Sequence, residues 1–369
     1  MEVHNFTPVI QKVLFGYFNK NGEDIFEKSL LLQYINQKTK SANKGAKSRS
    51  SFANLYAIYV IIEDYIASGF DKNGQYGKYA GAQFSNLFHR QRELPFGEKL
   101  QNHALNNRLN TEFQKFFPTS EIVPIIRNLT TNRYWINENL LKIKLRNKTY
   151  NIANPIIEII DKYIEIKQDS FRRFIEQCQR LQSLIPTESE QIHSFISDLL
   201  APNADARLFE IVSYSILKFY YRGQHIIWGY DMKSLHQESL HLYKTGRTNA
   251  NDGGIDFVMR PLGRFFQVTE TLDFKKYFLD IEKIERYPVT FVIKTIAEEQ
   301  TILSQLRDNA VKAYVIESIV EKYMGCIEEI INIPKLTQCF HEIEERGLLG
   351  EVLNEIILQS KVEFNFEEE

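Results

Sequence analysis

The chain has 369 residues, 43% hydrophobic and 25% charged, an ordinary globular balance with length enough for a sizeable core in two domains. The ten prolines, with no long Gly/Ser tract, exclude a large disordered region, and no apolar run approaches the ~20 residues needed to cross a bilayer. The net charge of −2 conceals an asymmetry: residues 1–150 carry 21 Lys+Arg against 12 Asp+Glu (+9) and the remainder 24 against 35 (−11), a basic half beside an acidic one.

The opening MEVHNFTPVIQKVLFGYFNK lacks a basic-then-apolar leader, so no signal peptide is expected. Cys178, Cys326 and Cys339 are odd in number and widely spaced, which argues against a disulfide framework or a structural zinc site. A cytoplasmic protein is the expectation, and the sequons at Asn5, Asn128 and Asn147 then carry no weight.

Residues 7–19 and 24–37 have helical periodicity, with Ile10, Val13, Leu14 and Tyr17 on one side of the first and Asn21-Gly22 between the two. From Lys38 to Arg49 there are five basic residues and no acidic one. Lys44, Lys47 and Arg49 there suit phosphate contacts, and the stretch is equally compatible with a solvated connector. Phe52 to Ser68 is an apolar helix opened by Ser50 or Ser51, its aromatics assigned to the core. The next piece, FDKNGQYGKYAGAQFSNLFHRQREL, is dense in hydrogen-bond donors, and Gln83, Arg90 and Arg92 are candidates to read base edges or hold phosphates. LPFGEKLQNHALNNRLNTEFQKFF predicts a polar helix in which Asn106, Asn107 and Arg108 extend that set. Asn is a modest helix former, so its clustering points either to DNA recognition or to helix–helix hydrogen bonding. Trp135 to Ala153 is a small β piece, with LLKIKL alternating, Asn147-Lys148 turning and TYNIA returning. The expectation is a helical, basic DNA-recognition domain over 1–153, without zinc-finger or basic-zipper spacing; a helix-turn-helix is permitted but not indicated.

Ile156 to Ile185 is an amphipathic helix. A capping box from Thr187 to Glu190 opens the next, with Ile192, Phe195 and Leu199 inward. These helices bridge, over 154–200, to a second domain at 201–369. Ala206 to Tyr221 is a helix with Leu208, Ile211, Val212 and Ile216 inward. Glu210 lies amid that face, where a carboxylate is costly without a partner. His225 to Asp231 is a strand, and two further strands carry Asp256 and Gln267. Asp273 to Arg286 is a helix with Lys275 and Lys276 in its first turn, and Val289 to Lys294 is a buried strand. Another helix, a strand at Lys312 to Ile316, terminal helices and a solvated acidic tail, EFNFEEE, complete the chain. The fold class is α+β, and the order from residue 206 is helix, strand, strand, strand, helix, strand.

The stretch KTGRTNANDGGIDFVMRPLGRFFQVTE, from Lys244 to Glu270, reads as a loop, a short strand, a turn at Pro261-Leu262-Gly263 and a second strand. Alternation sends Gln267 and Thr269 one way and Phe266, Val268 and Glu270 the other. Asp256 beside Gln267 offers oxygen ligands to a hard cation such as Mg²⁺. Gly-Gly-Ile-Asp followed by Gln-x-Thr, within the element order above, resembles the PD-(D/E)xK nuclease superfamily in its Mrr-like form over roughly residues 200–295, with Thr269 standing where that family carries lysine. The resemblance implies an αβββαβ core and Mg²⁺ held by Asp256, Gln267 and the Val268 carbonyl, with Glu210 binding the same or a second ion. Thr269 cannot supply a cation, so Lys275 or Lys276 is expected to reach in from the following helix. Glu270 is the other candidate ligand, on the opposite face of a regular strand. Arg247 and Asn249, in the loop before Gly253-Gly254, are further DNA-contact candidates.

A helical half rich in base-reading side chains, without an ATPase signature, resembles a type II restriction endonuclease. LPFGEKLQNHALNNRLN and TNANDGGIDFVMRPLGRFFQVTE are similar to the HaeII-type enzymes. That implies double-stranded DNA as substrate, a GC-rich palindromic site, a homodimer by two-fold symmetry and a cognate DNA methyltransferase. The rivals are a defence nuclease acting on RNA or single strands and a nuclease-dead DNA-binding protein. Gly-x-Ser-x-Gly, GxxxxGK[ST] and HExxH are absent, and the eight histidines show no metal-ligand spacing.

Overall fold

Apolar residues at three- and four-residue spacing close most of the first half of the chain into helices, and β-branched and aromatic runs in the second half build a sheet. In a computed structural model, the structure describes residues 3–40, 48–73, 75–184, 189–245, 255–314 and 316–364. The fold is mixed α+β, in two compact units: Met1–Ile175 with Lys361–Glu369, and Glu176–Ser360. The boundary therefore falls inside one long helix and not at residue 153, and the segment expected to bridge is shared between the units.

The first unit contains α1 (Thr7–Phe18), α2 (Asn21–Lys28), α3 (Leu30–Thr39), α4 (Ser48–Ala67), α5 (Phe70–Asn73), α6 (Phe84–Glu93), α7 (Leu109–Phe116) and most of α8 (Ala153–Ser183). The single helix expected at 24–37 is two, because Ser29 is extended and its Oγ accepts the Leu32 N–H (3.2 Å), capping α3. Leu55, Tyr56, Ile58, Ile61, Ile62 and Tyr65 of α4 are buried in the core, as expected for that helix. Tyr163 of α8 meets Phe6 and Phe52 edge-on at 5.8 and 5.3 Å. The polar helix expected over 94–117 is α-helical only in α7, after a wide turn at Ala104–Arg108; Phe96, at φ 62° between Pro95 and Gly97, breaks the chain before it. β1 (Ala82–Gln83), β2 (Ile125–Asn128) and β3 (Arg133–Ile136) form a sheet in the order β1-β3-β2, and β4 (Lys142–Leu145) pairs with β5 (Lys148–Asn151) as the expected hairpin.

The second unit follows with α9 (Ser189–Leu200), α10 (Ala206–Tyr221), β6 (His225–Trp228), β7 (His236–Ser239), β8 (His241–Lys244), β9 (Phe257–Arg260) and β10 (Arg264–Thr269). Then come α11 (Phe274–Lys283), β11 (Val289–Ile293), α12 (Glu299–Ala313), α13 (Glu317–Met324), β12 (Ile327–Ile331), α14 (Ile333–Glu345) and α15 (Leu349–Phe364). Among the described residues the main sheet runs β12-β11-β10-β9-β8; β8, β9 and β10 form an antiparallel meander, and β10, β11 and β12 are parallel through helical crossovers.

Two strand expectations are corrected. The first strand of this sheet is His241–Lys244, whose buried Leu242 faces Met259; the residues from His225 pair only with β7, in a hairpin that exposes Ile227 and Trp228. The strand expected at Lys312–Ile316 is not seen among the described residues: α12 runs through Ala313, and the last described strand is Ile327–Ile331. Thr187 of the expected capping box, and the acidic tail beyond residue 364, lie outside the described residues.

β10 divides its side chains between two layers. Phe266 faces α10, with Tyr221 at 6.2 Å and Phe257 at 6.4 Å, while on the other face Phe291, in register with Gln267, meets Tyr277 of α11 at 4.5 Å. No helix among the described residues is long and apolar enough to cross a membrane. Phe266 is fully buried at the centre of this sandwich. Phe266→Ala is expected to cost about 3–5 kcal/mol, read as a lowered urea midpoint with an unchanged slope.

Candidate active site

The site lies where β8, β9 and β10 part at the end of the sheet nearest the start of α10. Asp205 caps α10, its Oδ1 accepting the N–H groups of Arg207 (2.7 Å) and Leu208 (3.0 Å). One turn on, Glu210 is buried, and its carboxylate takes two cations: Arg207 from its own helix and Lys244 from the end of β8, whose Nζ lies 3.3 Å from Oε1. The partner that a buried carboxylate requires is thus a pair of partners.

Asp256 stands one residue before β9 and continues its ladder: its N–H donates to the Phe266 carbonyl (2.9 Å) and its carbonyl accepts the Thr245 N–H (2.9 Å). Its side chain then substitutes for backbone, Oδ2 accepting the N–H of Val268 at 2.7 Å. This bond fixes the carboxylate beside Gln267 and Val268, the juxtaposition expected from the hairpin. Burial, and secondarily the nearby Glu210 charge, push the Asp256 carboxyl up to about 7, against the lowering pull of the Val268 N–H, Arg207 and Lys244.

Gln267 and Thr269 are both buried on β10. The Gln267 amide nitrogen donates to the Val268 carbonyl (3.3 Å), and its Oε1 is buried with no hydrogen-bond partner. An orphaned buried acceptor beside a half-buried carboxylate is a feature that a hard cation would satisfy. Thr269 Oγ1 accepts from the ammonium of Lys276 at 2.9 Å. Of the two lysines left open by the sequence, Lys276 reaches this strand. Lys275 is exposed, and its backbone N–H is taken by Asp273, the cap of α11. Successive helix positions diverge by about 100°, so only one of the pair can face the sheet. Glu270 points away, as alternation requires, and pairs with Lys294. Lys294 is itself buried and donates to the Ala204 carbonyl (2.7 Å), tying β11 to the loop that starts α10.

Arg207, Lys244 and Lys294 were not singled out in the sequence. Arg207 and Glu210 are one helical turn apart, a signal that could have been read; the placement of Lys244 and Lys294 depends on sheet pairing.

Within the first unit the candidate DNA-contact residues have partners of their own. Arg90 forks onto Glu63 with two bonds of 2.8 Å, and that contact raises its already high pKa. Arg108 donates to Glu112 (2.7 Å), which also binds Lys38 and Asn54. Arg92 donates to the Glu98 carbonyl (2.5 Å) and lies over Phe88. Asn106 accepts from the Tyr134 hydroxyl and Asn107 from Arg127, each at 3.4 Å, and Gln83 sits opposite Arg133 in β1. Lys44, Lys47, Arg247 and Asn249 lie outside the described residues, and Arg49 lies in α4 with its side chain outside the description.

No family model matches the chain, and comparison with curated proteins and with solved structures gives no significant match.

The raised Asp256 pKa has a signed consequence. Between its unfolded value of 3.8 and about 7 the folded chain holds a proton that the unfolded chain has released, so this group's contribution to stability falls as pH rises through that window. Asp256→Asn, which can still accept from Val268, is expected to be more stable than the native chain near pH 8, by at most about 4 kcal/mol, and equal to it near pH 4. Thermal unfolding of both proteins at the two pH values checks the sign.

Proposed function

We propose that the chain is a Mg²⁺-dependent endonuclease of the PD-(D/E)xK type that hydrolyses phosphodiester bonds in double-stranded DNA at a short specific site, as a type II restriction enzyme does. The observation that carries the reading is Asp256 held on the Val268 N–H beside Gln267 with its unpartnered Oε1, while Lys244 ties Glu210 to the same end of the sheet; Lys276 reaches the same strand at Thr269. With the separate β6–β7 hairpin lying between α10 and β8, the remaining order α10, β8, β9, β10, α11, β11 supports it as an αβββαβ core.

In this reading Asp256, Gln267 and the Val268 carbonyl hold the metal, with Glu210 as a direct or water-bridged ligand. The bound ion supplies Lewis-acid activation of a water and neutralises charge at the phosphorus. The chain's own residues do the rest. The Val268 N–H keeps Asp256 Oδ2 in place, and Arg207 and Lys244 pair with Glu210. Lys276 takes the place of the lysine absent at position 269: anchored on the Thr269 hydroxyl, its ammonium stabilises negative charge that builds on the scissile phosphate. Since the Asp256 carboxyl must lose its proton to serve as a ligand, metal loading rises with pH through about 7. A palindromic target would be read by a homodimer, with a cognate methyltransferase protecting the host sequence.

Unmethylated plasmid with Mg²⁺ is expected to give discrete bands that EDTA and Asp256→Ala abolish. Lys276→Ala should slow cleavage by about a hundredfold or more, with Lys275→Ala near the native rate. DNA left intact by the native chain, with salt-sensitive binding retained, would overturn the enzymatic reading in favour of a non-catalytic DNA-binding protein.

A further inference from the structure

Spacing along the sequence suggests no histidine metal site, but the fold corrects that expectation. His193 of α9 and Glu344 of α14 are 151 positions apart and hydrogen-bonded through Nε2 and Oε2. His341, one turn before Glu344 on α14, places Nδ1 3.8 Å from the same oxygen. We infer that His193, His341 and Glu344 form a binding site for a divalent transition-metal ion of the zinc type, separate from the Asp256 cluster and independent of the nuclease reading.

Two features carry the inference, the spacing of the ligand atoms and the packing of the rings. One ligand atom from each residue lies within 4.8 Å of the other two. Bonds of ~2.1 Å in tetrahedral geometry separate ligand atoms by ~3.4 Å, so His341 must draw in toward Glu344 from 3.8 Å while the hydrogen-bonded His193 and Glu344 atoms open slightly. His341 is exposed and has room to swing inward. The two imidazoles stack at 4.7 Å with 27° between their planes, and Phe340 meets the His193 ring at 5.0 Å, holding it in place.

The donor set selects the ion. Two imidazoles with one carboxylate suit Zn²⁺, Ni²⁺ or Cu²⁺, whereas Mg²⁺ takes oxygen ligands. Three protein ligands leave a fourth position for water, as in an open zinc site. Both α9 and α14 pack against α10, the helix that carries Glu210, and Arg346 after α14 donates to the carbonyls of Phe219 and Tyr220 at the end of α10. An ion bridging α9 and α14 would clamp two of that helix's supports together.

The test is thermal unfolding of the metal-stripped full chain with Zn²⁺, and visible absorption with Co²⁺ as the spectroscopic probe. Saturating Zn²⁺, at about a hundredfold over Kd, is expected to raise Tm by on the order of 5–10 °C. The shift should persist in Asp256→Ala and disappear in both His193→Ala and His341→Ala. Because His341 is exposed, its variant folds whether or not the site exists. Tetrahedral Co²⁺ bands should follow the same pattern. No Zn²⁺ shift in the native chain, or an equal shift in both histidine variants, would overturn the inference and leave the reading of the Asp256 site untouched.

Discussion

Two carboxylates withdrawn from water and close enough to feel each other's charge are the constraint on which the second unit is arranged. Asp256 and Glu210 come from different elements, and each needs partners before it can stay where it is. Glu210 takes Arg207 and Lys244, and Asp256 takes the Val268 N–H. Those contacts join the first turn of α10 to the ends of β8, β9 and β10. Even so, burial and the nearby Glu210 charge leave the Asp256 carboxyl displaced upward, at some cost to stability where it must ionise.

Cations around this centre act as cross-links as much as charges. Lys294, buried just after β11, satisfies Glu270 and the carbonyl just before the cap of α10, so the loop that positions Glu210 is anchored to the end of that strand. Arg264, at the other end of β10, binds Glu328 and Glu329 of β12 and the Thr290 hydroxyl. Lys276 adds a third cation on β10, delivered from the next helix. At position 269 a hydroxyl on the strand holds an ammonium from the following helix. In the first unit the same chemistry has a different effect. Arg90 and Arg108 are held by Glu63 and Glu112, so the net basic excess of residues 1–150, which already counts both glutamates, is carried by other residues.

What the sequence by itself determined was local. The turn at Pro261-Leu262-Gly263, the alternation through Gln267 and Thr269, the apolar stripe of α10 with its misplaced carboxylate and the Asp273 cap of α11 are each written within a few residues, because periodicity and turn chemistry act at that range. They suffice to set Asp256 beside Gln267 and to place Glu210 on the packed face of its helix. Tertiary structure decided whatever depends on which elements meet. His241–Lys244 became the first strand because Leu242 could be buried against Met259, whereas the longer apolar run from His225 found only β7. Lys276 and not Lys275 faces Thr269 because the rotation of α11 is set by Tyr277 packing on Phe291. The meeting of His193 with His341 and Glu344 follows from α9 and α14 sharing α10 as a neighbour, and separation along the chain hides such a cluster from any motif. Periodicity reports which face of an element is apolar, but only packing reports what that face will touch.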